Sequence, residues 1–226
     1  MNVVEEVSLL NQKNQLKEEE EKIREALKQN ESDPQLWNSL GIVLSDMGRY
    51  EEAVEAYQEA LTLNPDSPVI LNNLGIAYKF IGKFEFAEKA YLRAIEIDPQ
   101  NIPALNNYAN LLRDMKEYEK AKVYYEKILS LNPNAPAIAT NYAILLSDMN
   151  ELKKAEEILK QVLQKYPNFQ HANKALGNLY TRLGRYDEAE YYLRVSILLN
   201  PKDSESYAHL AGLLIMREPG YLREAE

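Results

Sequence analysis

The 226-residue chain contains no cysteine, which removes disulfides, thiolate metal sites and cysteine nucleophiles from consideration. It contains two histidines, His171 and His209. A metal site needs more nearby ligands than these two supply, and no Ser-His-Asp arrangement is suggested. No glycine-rich phosphate loop follows a strand-like segment. Basic residues are outnumbered, 26 against 35 acidic, giving a net charge of −9. Such a balance disfavours nucleic acid, which requires a basic face to neutralise phosphates. No apolar run is long enough to span a bilayer. The opening "MNVVEEVSLLNQ" is acidic with a short apolar run, unlike a secretory signal. These absences lead us to expect no catalytic residue, no cofactor, no metal, no nucleic-acid partner, no membrane insertion and a cytoplasmic setting.

What the chain does contain is a repeat. Counting from Pro34 in steps of 34 residues gives blocks 34–67, 68–101, 102–135, 136–169 and 170–203, without insertion or gap. Position 8 of each block is small: Gly41, Gly75, Ala109, Ala143 and Gly177. Position 20 is always alanine, from Ala53 to Ala189, and position 32 always proline, from Pro65 to Pro201. Position 24 is large: Tyr57, Tyr91, Tyr125, Leu159 and Leu193. Apolar residues fall at spacings of three and four, so each block reads as two amphipathic helices. "MGRY", "IGKF" and "LGRY" mark the turn between them, where glycine suits a left-handed helix end. The proline stops the second helix, because the residue before it avoids the helical region. Small residues at positions 8 and 20 would let the two helices pack closely, and most of the sixteen tyrosines fall at packing positions.

This pattern resembles the tetratricopeptide repeat family in period and signature. Trp37, Leu40, Gly41, Ala53, Tyr57, Ala60 and Pro65 carry the match in the first block, with Leu44 where tyrosine is commoner. Ser196 in place of alanine and Asn173 at an apolar position are mild departures. The resemblance implies an all-α, right-handed superhelical solenoid of antiparallel helix pairs. It also implies an inner groove lined by positions 2, 5, 6, 9, 12 and 13 of each first helix.

Those positions hold an unusual number of amides. Position 6 carries Asn73, Asn107 and Asn141; position 5 carries Asn38, Asn72 and Asn106; position 9 adds Asn110 and Asn178. Cations stand at Lys79, Arg113, Lys174 and Arg182. An amide is both donor and acceptor, so a row of them can hold the backbone of an extended segment whatever its side chains. The arrangement is similar to the asparagine ladder of the O-GlcNAc transferase superhelix. Bridging between neighbouring helices is the alternative use of the same amides, and both uses can coexist. On the ladder reading, changing Asn73, Asn107 and Asn141 together to Ala should leave thermal unfolding nearly unchanged. Lys174 and Asn178 also match the start of a co-chaperone carboxylate clamp, although His209 stands where its next asparagine belongs. With Arg182 and His171, Lys174 would make a locally basic patch suited to a carboxylate.

The ends are less regular. Residues 1–33 read as a charged capping helix and residues 204–226 as a partial sixth repeat, in which "PGYLREAE" restarts the pattern. Natural arrays usually finish with a polar cap, so the chain reads as the front part of a longer protein. The function expected is a non-catalytic scaffold that binds an extended protein segment in the groove. The alternative is the substrate-recruiting front of a larger enzyme, such as a glycosyltransferase. Self-association through open repeat ends is a further possibility, since Leu213 and Leu214 would lack a cover.

Overall fold

The structure, a computed structural model, describes residues 3–217, with side chains described at residue 11 and from residue 13 onward. The "PGYLREAE" restart lies outside the described residues. Among the described residues there are twelve α-helices and no strand. The chain divides into two compact units, residues 1–111 and 112–226. The first holds α1 (Val3–Gln29), α2 (Pro34–Asp46), α3 (Tyr50–Leu63), α4 (Pro68–Phe80), α5 (Phe84–Ile97) and most of α6 (Ile102–Asp114). The second holds the end of α6, then α7 (Tyr118–Leu131), α8 (Pro136–Asp148), α9 (Leu152–Lys165), α10 (Gln170–Arg182), α11 (Tyr186–Leu199) and α12 (Ser204–Arg217).

Capping residues set the helix starts. The Asp33 carboxylate accepts from the Gln35 amide at 2.8 Å, and the Asn101 side-chain oxygen accepts from the Ala104 amide at 3.0 Å. Pro34, Pro68 and Pro136 open their helices at a place where a missing N–H costs nothing. The residue before each position-32 proline is extended: Asn64, Asp98, Asn132, Tyr166 and Asn200 have φ between −129° and −140°. Each second helix therefore ends where the proline ring forbids the next helical residue.

The turns inside the pairs share one geometry. Gly48 donates to Ser45 O at 2.9 Å, and Arg49 donates to Leu44 O at 2.8 Å. This double closure needs a left-handed residue, and Gly48, Gly82 and Gly184 supply it at φ 70–74°. The same two bonds form at Lys116 (φ 62°) and Asn150 (φ 63°), where a side chain is present. The closure is thus kept where glycine is not, and Lys116 carries the strain of an L-residue in this region.

The two helices of a pair approach closely because the small residue faces the large one. A Cβ added at Gly75 would lie 2.5 Å from the Tyr91 ring, and one at Gly177 would lie 2.7 Å from Leu193. Tyr57, Tyr91, Tyr125 and Leu193 are buried, as are all five position-20 alanines. Hydroxyls at the margins find acceptors on the preceding second helix: Tyr108 donates to Glu88 at 2.7 Å and Tyr142 to Glu126 at 2.8 Å.

The second unit also contains polar groups at apolar positions, and each is satisfied. Asn173 donates to the carbonyls of Pro167 and Phe169, both at 3.0 Å. Ser196 and Ser206 are fully buried and 2.8 Å apart. Gln170 donates to Ser196 at 2.8 Å and to Asp203 at 2.7 Å, and Ser206 donates to Asp203 at 2.6 Å. This seam seats α12 on α10 and α11. It also corrects the expectation for Leu213, which is buried among the α10 and α11 side chains; Leu214 is exposed.

Glu156, on α9, is held by Lys160 at 2.6 Å, Arg185 at 2.9 Å and the Tyr180 hydroxyl at 3.0 Å. Its carboxyl is pushed down to about 2, first by the Lys160 bond, then by those from Arg185 and Tyr180. A carboxyl that titrates lower when folded stabilises fully above its unfolded value and loses that contribution as pH falls. The melting-temperature gap between wild type and Glu156→Ala should therefore be full at pH 7, narrow below pH ~4.5 and close near pH ~2. Separately, Lys116→Gly should raise unfolding free energy in urea by about 1 kcal/mol by removing the left-handed strain.

Candidate functional site

In the first unit the amides of successive first helices meet. The position-6 amide of one repeat donates to the position-5 amide of the repeat before it. Asn73 Nδ2 donates to Asn38 Oδ1 at 3.1 Å, and Asn107 Nδ2 donates to Asn72 Oδ1 at 2.9 Å. Asn38 and Asn72 are 7% and 8% exposed; Asn73 and Asn107 are half-buried. Of the two uses left open by the sequence, bridging is therefore present. The helical period explains the pairing: position 5 of one copy and position 6 of the next are 35 residues apart.

Each bond uses one N–H and one oxygen. Among the described residues, Asn73 Oδ1 and the Asn38 amide hydrogens take no further hydrogen bond, and the same holds for Asn107 Oδ1 and the Asn72 amide hydrogens. None of these is a buried orphan: among the described residues only His209 Nδ1 is buried without a partner. The paired amides thus retain both donor and acceptor capacity toward solvent. The same helix faces carry exposed apolar groups, Ile42, Val69 and Phe80. Phe80 stacks on Tyr50 with ring centroids 4.4 Å apart. Asn106, Asn110 and Lys79 are half-buried and already engaged with neighbouring groups.

The second unit continues differently. Position 5 becomes Thr140, whose hydroxyl turns back to Pro136 O at 2.8 Å. Asn141 Oδ1 lies 3.1 Å from His171 Nε2, a contact that nothing in the asparagine spacing signals. Burial pushes the His171 imidazole below its ordinary value, with Lys174 adding to the effect. Arg113 reaches Asp114 at 3.4 Å and Asp148 at 3.9 Å. Arg182 donates to the carbonyl and hydroxyl of Ser147, at 2.7 and 2.5 Å. Asn178 is half-buried.

Lys174 does not offer a free ammonium. It pairs with Glu205 and lies 3.3 Å from Asp203. Burial works against its charge, but the Glu205 and Asp203 carboxylates hold it above the usual lysine range. Arg182 is likewise occupied by Ser147, so of the basic patch expected here Lys174 is neutralised from within and Arg182 is already hydrogen-bonded. A ligand carboxylate would have to displace the protein's own.

Tetratricopeptide repeat profiles match residues 32–100, 90–123, 112–168 and 153–214. The chain belongs to the tetratricopeptide repeat family. Among curated proteins, a CTR9 homolog of Arabidopsis thaliana is 40% identical over 52 residues, which is 23% of this chain and 5% of that protein. Among solved structures, the tetratricopeptide repeat protein TTC0263 of Thermus thermophilus superposes with a TM-score of 0.71 at 23% identity, over 80% of this chain and 99% of the other. YrrB, a tetratricopeptide repeat protein with an unusual peptide-binding site, gives a TM-score of 0.57 at 18% identity, over 82% and 96%. These structures share the fold. No described helix is long and apolar enough to cross a membrane.

The rung geometry revises the expectation that the asparagines are neutral for stability. Asn73→Ala strands the buried Asn38 oxygen, and should cost about 1–2 kcal/mol in urea unfolding. A double-mutant cycle on Asn38 and Asn73 should return a coupling of about 1 kcal/mol, a value near zero meaning the bond does not form in solution.

Proposed function

We propose that this chain is a non-catalytic scaffold that grips an extended segment of a partner protein along the amide face of its first unit. The repeat fold itself indicates protein–protein interaction. The observation that carries the finer reading is the residual capacity of the Asn38–Asn73 and Asn72–Asn107 pairs. Each pair keeps donors and an acceptor for the C=O and N–H of a passing peptide unit. Fixing the amides against each other also lowers the entropy lost when a ligand binds. Ile42, Val69 and Phe80 then select among side chains of the bound segment. The likeness to the asparagine ladder of O-GlcNAc transferase supports this use, as does the peptide-binding site of YrrB. Asn106, Asn110 and Lys79 would extend the same face, while the second unit would use Asn141, Arg113 and Asn178 for contacts of its own, and Lys174 and Arg182 only where a ligand displaces Asp203 and Glu205 or Ser147.

Replacing both partners of a hydrogen bond by apolar groups of similar size is close to neutral for folding. The variant N38L/N73L/N72L/N107L should therefore melt within a few degrees of wild type. Peptides selected from a random display library on the wild-type chain should bind this variant at least tenfold more weakly by fluorescence anisotropy. Undiminished binding by a folded variant would remove the amides from recognition.

A further inference from the structure

A separate open cleft lies between α1 and the α2–α3 pair. Its floor is the half-buried Trp37 ring, packed over the fully covered Leu40 and Leu44, and its walls carry Arg24, Glu31, Glu52, Glu55 and Glu59. A neighbouring depression shares Arg24, Glu31 and Trp37 and is bordered by Leu27 and Lys28, so the two adjoin as a trough beside α1. The cations nearby are already committed. Arg24 is bonded to Glu20 at 2.8 Å, Lys28 to Glu25 at 2.9 Å, and Arg49 to both Glu20 and Glu52 at 2.5 Å. Glu31, Glu55 and Glu59 are exposed and pair with no cation among the described residues. The indole N–H of Trp37 is spent on the Glu31 carbonyl at 2.8 Å, which fixes the ring and leaves it only apolar contacts and its π-face to offer.

We propose that this trough binds an arginine presented by an apolar-flanked segment of a partner protein. Charge complementarity selects the occupant. Three unpaired carboxylates around an indole favour a planar cation, which stacks on indole and hydrogen-bonds carboxylates together. Flanking apolar residues would cover the rest of the Trp37 ring. The site is independent of the amide face: it lies against α1 and the outer stripe of α3, where Glu52, Glu55 and Glu59 recur at helical spacing.

Trp37 is the single tryptophan of the chain, so its emission reports the trough directly. The probe is a blocked peptide of alternating arginine and leucine, free of aromatic residues, titrated into the full chain. We expect a saturable change in emission. It should weaken at least tenfold with citrulline in place of arginine, and at least tenfold in E31Q/E55Q/E59Q. It should persist in E18Q/E19Q/E21Q, which removes the same charge from the exposed side of α1. Thermal melts of both variants confirm folding. No change in Trp37 emission, or equal loss in the two triple variants, overturns the proposal; equal loss would mean general attraction to an acidic protein.

Discussion

The close approach of the two helices in each pair is the contact on which the rest of the molecule depends. It requires a position with almost no side chain opposite one with a large side chain. Gly75 beneath the Tyr91 ring and Gly177 beneath Leu193 show how little space remains. A buried tyrosine removes far more apolar area than a smaller residue could, and the missing Cβ lets it lie flat on the neighbouring backbone. The left-handed turn inside the pair and the extended residue before proline then connect the elements. The next repeat then meets the same surface again, 34 residues later.

That periodicity also explains the amide pairs. Nothing about one asparagine on a helix predicts a partner. Two asparagines at adjacent positions, repeated with the period of the fold, bring donor and acceptor from different repeats within 3.1 Å. Stability and recognition then draw on one set of side chains. Each amide gives up part of its hydrogen-bonding capacity to its neighbour and keeps part. A single amide on a mobile side chain would lose more freedom on binding.

Much of the fold was legible in the sequence because its determinants are local and periodic. Small residues at positions 8 and 20, proline at position 32 and glycine at the turn each have a direct steric meaning, whereas the facing of position 8 by position 24 is visible only in the structure. Lys116 was harder, since lysine does not announce a left-handed turn as glycine does and as asparagine at position 150 can; only alignment with Gly48, Gly82 and Gly184 marks it. The faces of the first helices could be listed from the period, but not their state. That Lys174 is neutralised by Asp203 and Glu205, or that Asn141 meets His171, depends on side-chain reach between repeats. Spacing alone cannot say whether a charge is free. Asn173 and Ser196 looked like mild departures from the family pattern, and proved to be hydrogen-bonded within the core.

The seam formed by Gln170, Ser196, Asp203 and Ser206 gives the last described helix a property its neighbours lack. Oily surfaces tolerate sliding, because one methyl group substitutes well for another. Buried hydroxyls and carboxylates do not, since a helix displaced by one turn would leave several of them without partners. α12 therefore has one seat rather than a range of them. Any unit stacked beyond it would inherit that alignment, much as courses of brick follow the first one keyed into the wall.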